Sequence, residues 1–290
     1  MPIRPNPIDH LRLRPARLDR EQRWLLVLAG LYAGAGLLHV IVWWLDPSPW
    51  AGDVSWRKPI VFGLSGAITT ASLAWALGGV PASRGRTGGA WIYGVAMTLE
   101  IGLITMQRWR GVASHFNTAT PFDAAVFNAM GALIVVASLP VVSWTRAAWR
   151  NPALDPARRA AIVGGLVLLD VGLLVGVSIA GLGSAMRALG DAGGIATARA
   201  LVPAHALGLH GPQLTAALAW WWAGRAPAST ATALWRVVGS TLLVIAALVG
   251  WAFGSLAVTL AAVTVVAAAV AATARRLPRV RTGDVGQVLP

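Results

Sequence analysis

The sequence predicts an all-α, polytopic transmembrane helix bundle of eight spans with both termini in the cytoplasm. Three observations predict it: repeated apolar runs of bilayer length, a one-sided distribution of arginine, and tryptophans at the ends of the runs. The 290 residues are 56% apolar and only 12% charged, with a mean hydropathy of +0.64. A soluble domain carries about 25% charged residues, so the natural solvent for this chain is a bilayer.

Residues 1–23 form a basic cytoplasmic tail that holds Arg4, Arg12, Arg14, Arg17, Arg20 and Arg23. They contain no apolar core of the length a signal peptide needs, so the first span anchors the mature chain. The transmembrane domain covers 24–274. A spanning helix takes roughly 20 apolar residues, because the hydrocarbon core is about 30 Å thick and each residue rises about 1.5 Å. Six runs meet that length: Trp24–Leu45, Pro59–Gly79, Ala90–Gln107, Phe122–Trp144, Ala160–Gly183 and Pro203–Gly224. A last stretch, Trp235–Ala274, would be about 60 Å long as one helix. It is therefore split near Gly254 and Ser255 into two spans; seven spans with one long bent helix is the alternative count. Residues 275–290 are a basic cytoplasmic C-terminal tail.

With the N-terminus inside, about three quarters of the 24 Lys and Arg residues fall on the cytoplasmic side, the bias that orients membrane proteins. Trp24, Trp75, Trp91, Trp144 and Trp235 then mark the inner boundary, and Trp43, Trp44, Trp56, Trp109 and Trp251 the outer one. Amphipathic indoles favour the headgroup level, which supports the same spans. Gly30 with Gly34, and Gly172 with Gly176, supply the small-xxx-small spacing at which helices pack closely.

Composition also removes function classes. Cysteine is absent, which excludes disulfides, thiolate metal sites, cysteine nucleophiles and c-type haem attachment. The formal charge of +13 is spread between apolar runs and makes no basic face, so nucleic acid is not expected as a partner. Nor is there an HExxH string, a Walker motif or a dinucleotide fingerprint.

Ionisable residues inside a membrane are costly and mark function by default. Counting back from the outer span ends places His39 about 9 Å deep, and Glu100 and His210 about 10 Å deep. Three side chains from three helices are thus expected at one level. Arg108, Arg110, His115, Asn117, Asp123 and His205 gather above them, Asp170 lies deeper, and Gln213 follows His210. The expectation is a polar site in the outer half of the bundle.

Several strings carry a resemblance. Trp56-Arg57-Lys58-Pro59-Ile60-Val61-Phe62, the run Gln107-Arg108-Trp109-Arg110-Gly111 through Ser114-His115-Phe116-Asn117, Thr120, Phe122-Asp123, and His205 through Gln213 resemble a family of polytopic bacterial inner-membrane proteins without an established activity. The resemblance covers most of 55–215 and implies a multi-pass protein of the bacterial plasma membrane. It departs at Arg199-Ala200-Leu201-Val202-Pro203, where the family pattern has a more polar loop with an acidic residue.

Three functions are consistent with these residues. The favoured one is a membrane redox protein that binds haem b through His39 and His210, with His115 or His205 as alternate ligands. Quinone chemistry coupled to it would use Glu100 or Asp170 as proton acceptor. The first alternative is a small-ligand or proton-coupled transporter or receptor, with Arg108 and Arg110 for an anion and Glu100 for a proton. The second is a membrane-embedded metal-dependent enzyme in which His39, His210 and Glu100 hold a single ion. A structural subunit without chemistry is the plainest reading.

Overall fold

Helices begin in this chain where the sequence offers a cap. Asp19 accepts from the backbone N–H of Gln22 while the Gln22 side chain returns the bond, closing a capping box at the start of α1 (Arg20–Leu45). α2 (Arg57–Leu77) starts after Trp56 without a side-chain cap bond. Ser83 caps α3 (Arg84–Trp109), and Thr120 and Asp155 cap α4 (Pro121–Trp149) and α5 (Pro156–Ala188), each followed by a proline at the first helical position. Asp191 caps α6 (Ala192–Ala200), which is followed by α7 (Val202–Leu209), α8 (Gly211–Trp221) and α9 (Pro227–Ala252).

This computed structural model describes residues 18–222 and 226–255, with Leu260, Thr264 and Ala268 beyond. Among the described residues all regular structure is helical. Six helices, α1 to α5 and α9, are long and apolar enough to cross a membrane. The chain is thus a multi-pass, membrane-type helical bundle. Its exposed surface agrees: Val27, Leu31, Leu38 and Ile41 of α1 and Leu139 of α4 all project outward, where lipid replaces water as the favourable neighbour.

One span assignment needs correction. The expected span Pro203–Gly224 is not one helix. Pro212 has no N–H to donate to the preceding turn, and with Gly211 beside it the ladder breaks at His210, between α7 and α8. The segment before Val202, read as a loop, is instead the helix α6. In the last stretch, α9 stops at Ala252 and Gly254 takes φ +65°, which is where the sequence suggested a division. The proposed eighth span lies outside the described residues apart from isolated positions, as do the N-terminal tail and the C-terminal tail.

Helices α1 to α5 alternate in direction. α1 packs on α2 and α3, α3 on α4, and α4 on α5, while α5 forms the spine against which α6, α7, α8 and α9 all pack. The core runs through Leu25, Tyr32, Leu73, Tyr93, Trp144, Leu166 and Leu169. Two glycine contacts set the closest approaches. A Cβ on Gly63 would lie 2.8 Å from the Gly36 Cα, and one on Gly208 would lie 2.5 Å from the Gly172 Cα, so backbone meets backbone there. The Gly172–Gly176 pair therefore does pack, against Gly208 and the His205 ring. Gly30 and Gly34 do not: nothing lies within 4 Å of either, and Gly36 is the glycine of α1 that meets its neighbour.

One end of the bundle is tied by Asp19 with Arg86, by Gln22 donating 2.9 Å to the Ala74 carbonyl, and by Asn151 donating 2.9 Å to the Gly79 carbonyl. The opposite end, where Trp56 and Trp109 lie, carries the polar residues that the sequence singled out.

Candidate functional site at the Trp56 end

The centre of this end is a clasp between α3 and α4. Asp123 accepts from Gln107 Nε2 at 3.0 Å, from Arg110 Nη1 at 2.7 Å and from Thr120 Oγ1 at 2.8 Å. Its own N–H donates to Thr120 Oγ1, and Arg110 also donates to the Gln107 side-chain oxygen. Asp123 and Arg110 are thus occupied with each other, and Arg110 stacks on the Phe122 ring at 4.6 Å. Arg108 is also engaged. Its guanidinium lies 3.9 Å from the Trp56 ring centroid, donates to Ser48 Oγ at 3.4 Å and sits 3.8 Å from Asp46. Both arginines hold the loops; neither presents an unencumbered fork to an anion.

Asn117 folds the loop between them, donating to the Ala113 carbonyl and accepting from the Ala119 N–H. Phe116 takes φ +56°, a left-handed conformation that costs a non-glycine residue. Packing offsets that cost. The Phe116 ring fills a notch on α5, where a Cβ on Gly183 would stand 2.6 Å from it. Beside it, His115 packs on Phe62 with ring centroids 5.5 Å apart, and its Nδ1 lies 2.9 Å from Ser114 Oγ. Burial, reinforced by the Lys58 charge, pushes the His115 pKa down to about 4, so the imidazole is neutral.

His39 is placed at the rim. Its Nδ1 is 2.7 Å from the Ala35 carbonyl and its Nε2 accepts from Trp109 Nε1 at 3.1 Å, with the Trp56 ring alongside. Both ring nitrogens are therefore engaged, and axial ligation would have to break one of these bonds. His205 donates from Nδ1 to the Gly172 carbonyl at 2.7 Å.

His210 stands on a course that begins earlier than Pro203. The course α6–α7–α8 starts at Asp191 and runs antiparallel to α5, with Gly194 against Met186, Gly208 against Gly172 and Pro212 against Gly165. Depth must be counted from Asp191, not from Pro203, which puts His210 about 28 Å along that course. It lies beside Leu168, in the half nearer the Asp19 end, and its side chain is exposed. His39, held by Ala35 and Trp109, and His210, exposed on its own course, do not meet Glu100 in one group. Among the described residues no three His, Asp or Glu side chains form a group that could hold a metal ion.

Glu100 is the buried residue of the set. It shares a face of α3 with Tyr93, Ile104 and Gln107, at spacings of seven, four and seven residues. That face meets α4: Tyr93 contacts Trp144, Ile104 clusters with Val126, Phe127 and Met130, and Gln107 meets Asp123. Glu100 thus sits inside the bundle about 10 Å beneath the clasp, 2% exposed, with Oε2 lacking a hydrogen-bond partner among the described residues. Asp170 accepts from Thr145 Oγ1 at 2.7 Å and keeps Oδ1 unpartnered. Gln213, with its amide turned so that both ends are satisfied, donates to the Leu209 and His210 carbonyls and accepts from Ser72 Oγ at 3.0 Å. It serves the helix break, not the Trp56 end.

Lys58 is not among the residues that intramembrane charge singles out, since it lies on the loop side of the second span's start. It is half-buried in the first turn of α2, and among the described residues it forms no ion pair or hydrogen bond through its side chain. The signal available was Arg57-Lys58 opening a helix with no acid in its first turn, an arrangement the helix dipole disfavours.

Compared with known protein families, curated proteins and solved structures, the chain matches none.

Proposed function

We propose that this protein is a proton-coupled carrier for a small ligand, loaded at the Trp56 end, with Glu100 as the proton site. The observation that carries the reading is the Glu100 carboxyl, 2% exposed with an unpartnered Oε2 inside a membrane-type bundle. A carboxyl so placed is costly if it only fills space, since an apolar residue would pack there without a desolvation penalty. The interrupted course α7–α8 adds support, because broken helices recur where carriers build their sites.

On this reading the chain crosses the bacterial plasma membrane eight times. The α6–α8 course is the seventh element in space and the apolar residues after Ser255 complete the set, with both termini cytoplasmic. The arginine excess at the Asp19 end supports that orientation and faces the Trp56 end outward.

Infrared difference spectroscopy tests the proton site. Between about pH 5 and about pH 9, which spans the range accessible to a carboxyl in such surroundings, the wild-type protein in lipid should gain and lose a protonated-carboxyl C=O band. Glu100→Gln should remove a component of that band that Asp170→Asn retains. A spectrum with no such band, or one unchanged in Glu100→Gln, refutes the assignment.

A further inference from the structure

Four elements converge at the Trp56 end, and the charges they bring do not cancel. α2 contributes Arg57 and Lys58 in its first turn. The α3–α4 loop contributes His115, packed on Phe62 of α2, and Phe116, seated against Gly183 of α5. One helical turn beyond Gly183, on the same face, α5 contributes Arg187. α6 contributes Arg199, whose Nη2 lies 3.7 Å from Asp53 Oδ1 in an exposed pair. Asp123 is committed to the clasp, Asp46 to Trp56 and Arg108, and Asp191 to capping α6. That leaves Arg57, Lys58 and Arg187 with no carboxylate at ion-pair distance among the described residues, and Asp53 as the one acid that acts on Lys58.

Lys58 stands in the middle of this field. Asp53 is the strongest single charge acting on it, and Arg57, Arg199 and Arg187 act against Asp53 with the opposite sign. The Arg57 Nε is buried with no acceptor. The positive end of the α2 dipole adds to the same potential. Lone interfacial anchors would snorkel apart into water; here packing of Phe62, His115, Phe116 and Gly183 keeps the elements together.

We infer that Lys58, with Arg57 and Arg187, forms a binding site for the phosphoryl group of an anionic ligand, with neutral His115 as its inner wall. Phosphoryl fits better than carboxylate on charge. Near neutral pH a phosphate monoester carries about −1.5 to −2, which answers several unpaired cations, whereas a carboxylate answers one. Arginine forks and a lysine point charge are the donors that phosphate oxygens take. The His115–Phe62–Phe116 wall offers an apolar surface to whatever the phosphoryl group is attached to. The inference deepens the carrier reading by naming the ligand class. The phosphoryl group belongs either to a soluble ligand or to a lipid headgroup, and the two are separable by experiment.

The full chain, purified in a sugar-headgroup detergent that carries no phosphate, is titrated calorimetrically with inorganic phosphate and with glycerol phosphate. In parallel it is exposed to phosphatidylglycerol or to a neutral glycolipid and examined by native mass spectrometry. In at least one arm the wild type binds, and Lys58→Gln and Arg187→Gln each weaken binding about tenfold, the order expected for loss of one charge-assisted contact. Lys58→Arg retains most of it. Binding confined to the titrations identifies a soluble ligand, and binding confined to phosphatidylglycerol identifies a lipid. Exposed Arg187 gives a variant that folds even if Lys58→Gln does not. No binding in either arm, or binding indifferent to both variants, overturns the inference. Loss of the phosphoryl site with the Glu100 infrared band intact leaves the carrier reading standing. A bound phosphoryl group with no Glu100 band removes the proton coupling and leaves the site.

Discussion

The contact between Gly172 of α5 and Gly208 of α7 can be tested by adding one methyl group. In Gly208→Ala the new Cβ stands 2.5 Å from the Gly172 Cα, 2.7 Å from its nitrogen and 2.8 Å from the Leu168 carbonyl oxygen. Carbon atoms rest at about 3.5–4.0 Å, so the two backbones must part by roughly 1 Å, which forfeits a quarter to a half of the dispersion well for each contact moved. Overpacking of this kind costs about 1–3 kcal/mol. Against it stands the helix propensity gained on replacing glycine by alanine, about 0.8–1.0 kcal/mol. The neighbours are backbone and cannot rotate away, so the clash wins by up to about 2 kcal/mol. A net loss of that size lowers the unfolding midpoint by up to roughly 3 °C for a chain this long. Gly30→Ala supplies the control: nothing lies within 4 Å of that position, so the propensity term acts alone and the midpoint holds or rises slightly. Thermal unfolding in one detergent, followed by circular dichroism, reads both variants. Equal midpoints for Gly208→Ala and Gly30→Ala would show that α5 and α7 do not touch through their backbones.

Three further outcomes follow from the contacts described. His115 has a folded pKa of about 4 against an ordinary value of 6.5, so the unfolded chain binds its proton first on acidification. Stability from this group is complete above about pH 6.5 and is lost as pH falls toward 4; an unfolding series across that window should show a slope that His115→Gln removes. Asp19→Ala takes away the α1 cap and the Arg86 partner; with the carboxylate partly exposed, the cost is about 1 kcal/mol, chiefly the cap, read by denaturant titration. Because both His39 nitrogens are engaged, His39→Phe should leave the visible absorption spectrum of the purified protein unchanged before and after dithionite. A Soret band lost in that variant would return haem b to first place.

The bilayer class, the long helices and their caps could be read from residue types, because apolar length and N-cap chemistry are local properties. Asp19, Ser83, Thr120 and Asp155 cap as their side chains dictate. Depth was legible only where the span ends were right. His39 is counted from the true end of α1, whereas Glu100 is counted from Gln107, two residues inside α3, and His210 from Pro203, because Ala192–Ala200, small and glycine-containing, does not look like a helix. Which glycines pack was likewise beyond the pattern: Gly30 and Gly34 match the spacing rule as well as Gly172 and Gly176 do, and only rotation of α1 decides that Gly36 faces its neighbour. The occupied state of Arg108 and Arg110 was hidden for the same reason. Their partners Asp46 and Asp123 come from other elements, and charge alone does not say who has already been answered.

The break at His210 bears on how the chain is made. α7 has 8 residues and α8 has 11, about 12 and 16 Å of helix, so neither reaches across a bilayer by itself. Each helix end exposed to hydrocarbon leaves backbone groups without partners, at several kcal/mol apiece. During synthesis these two segments therefore have to dock on α5, already complete, before they leave the insertion machinery for lipid. Damage to the glycine track on α5 should then appear first as chain lost to quality control in the cell, and only afterwards as a lower melting point in whatever survives to be purified.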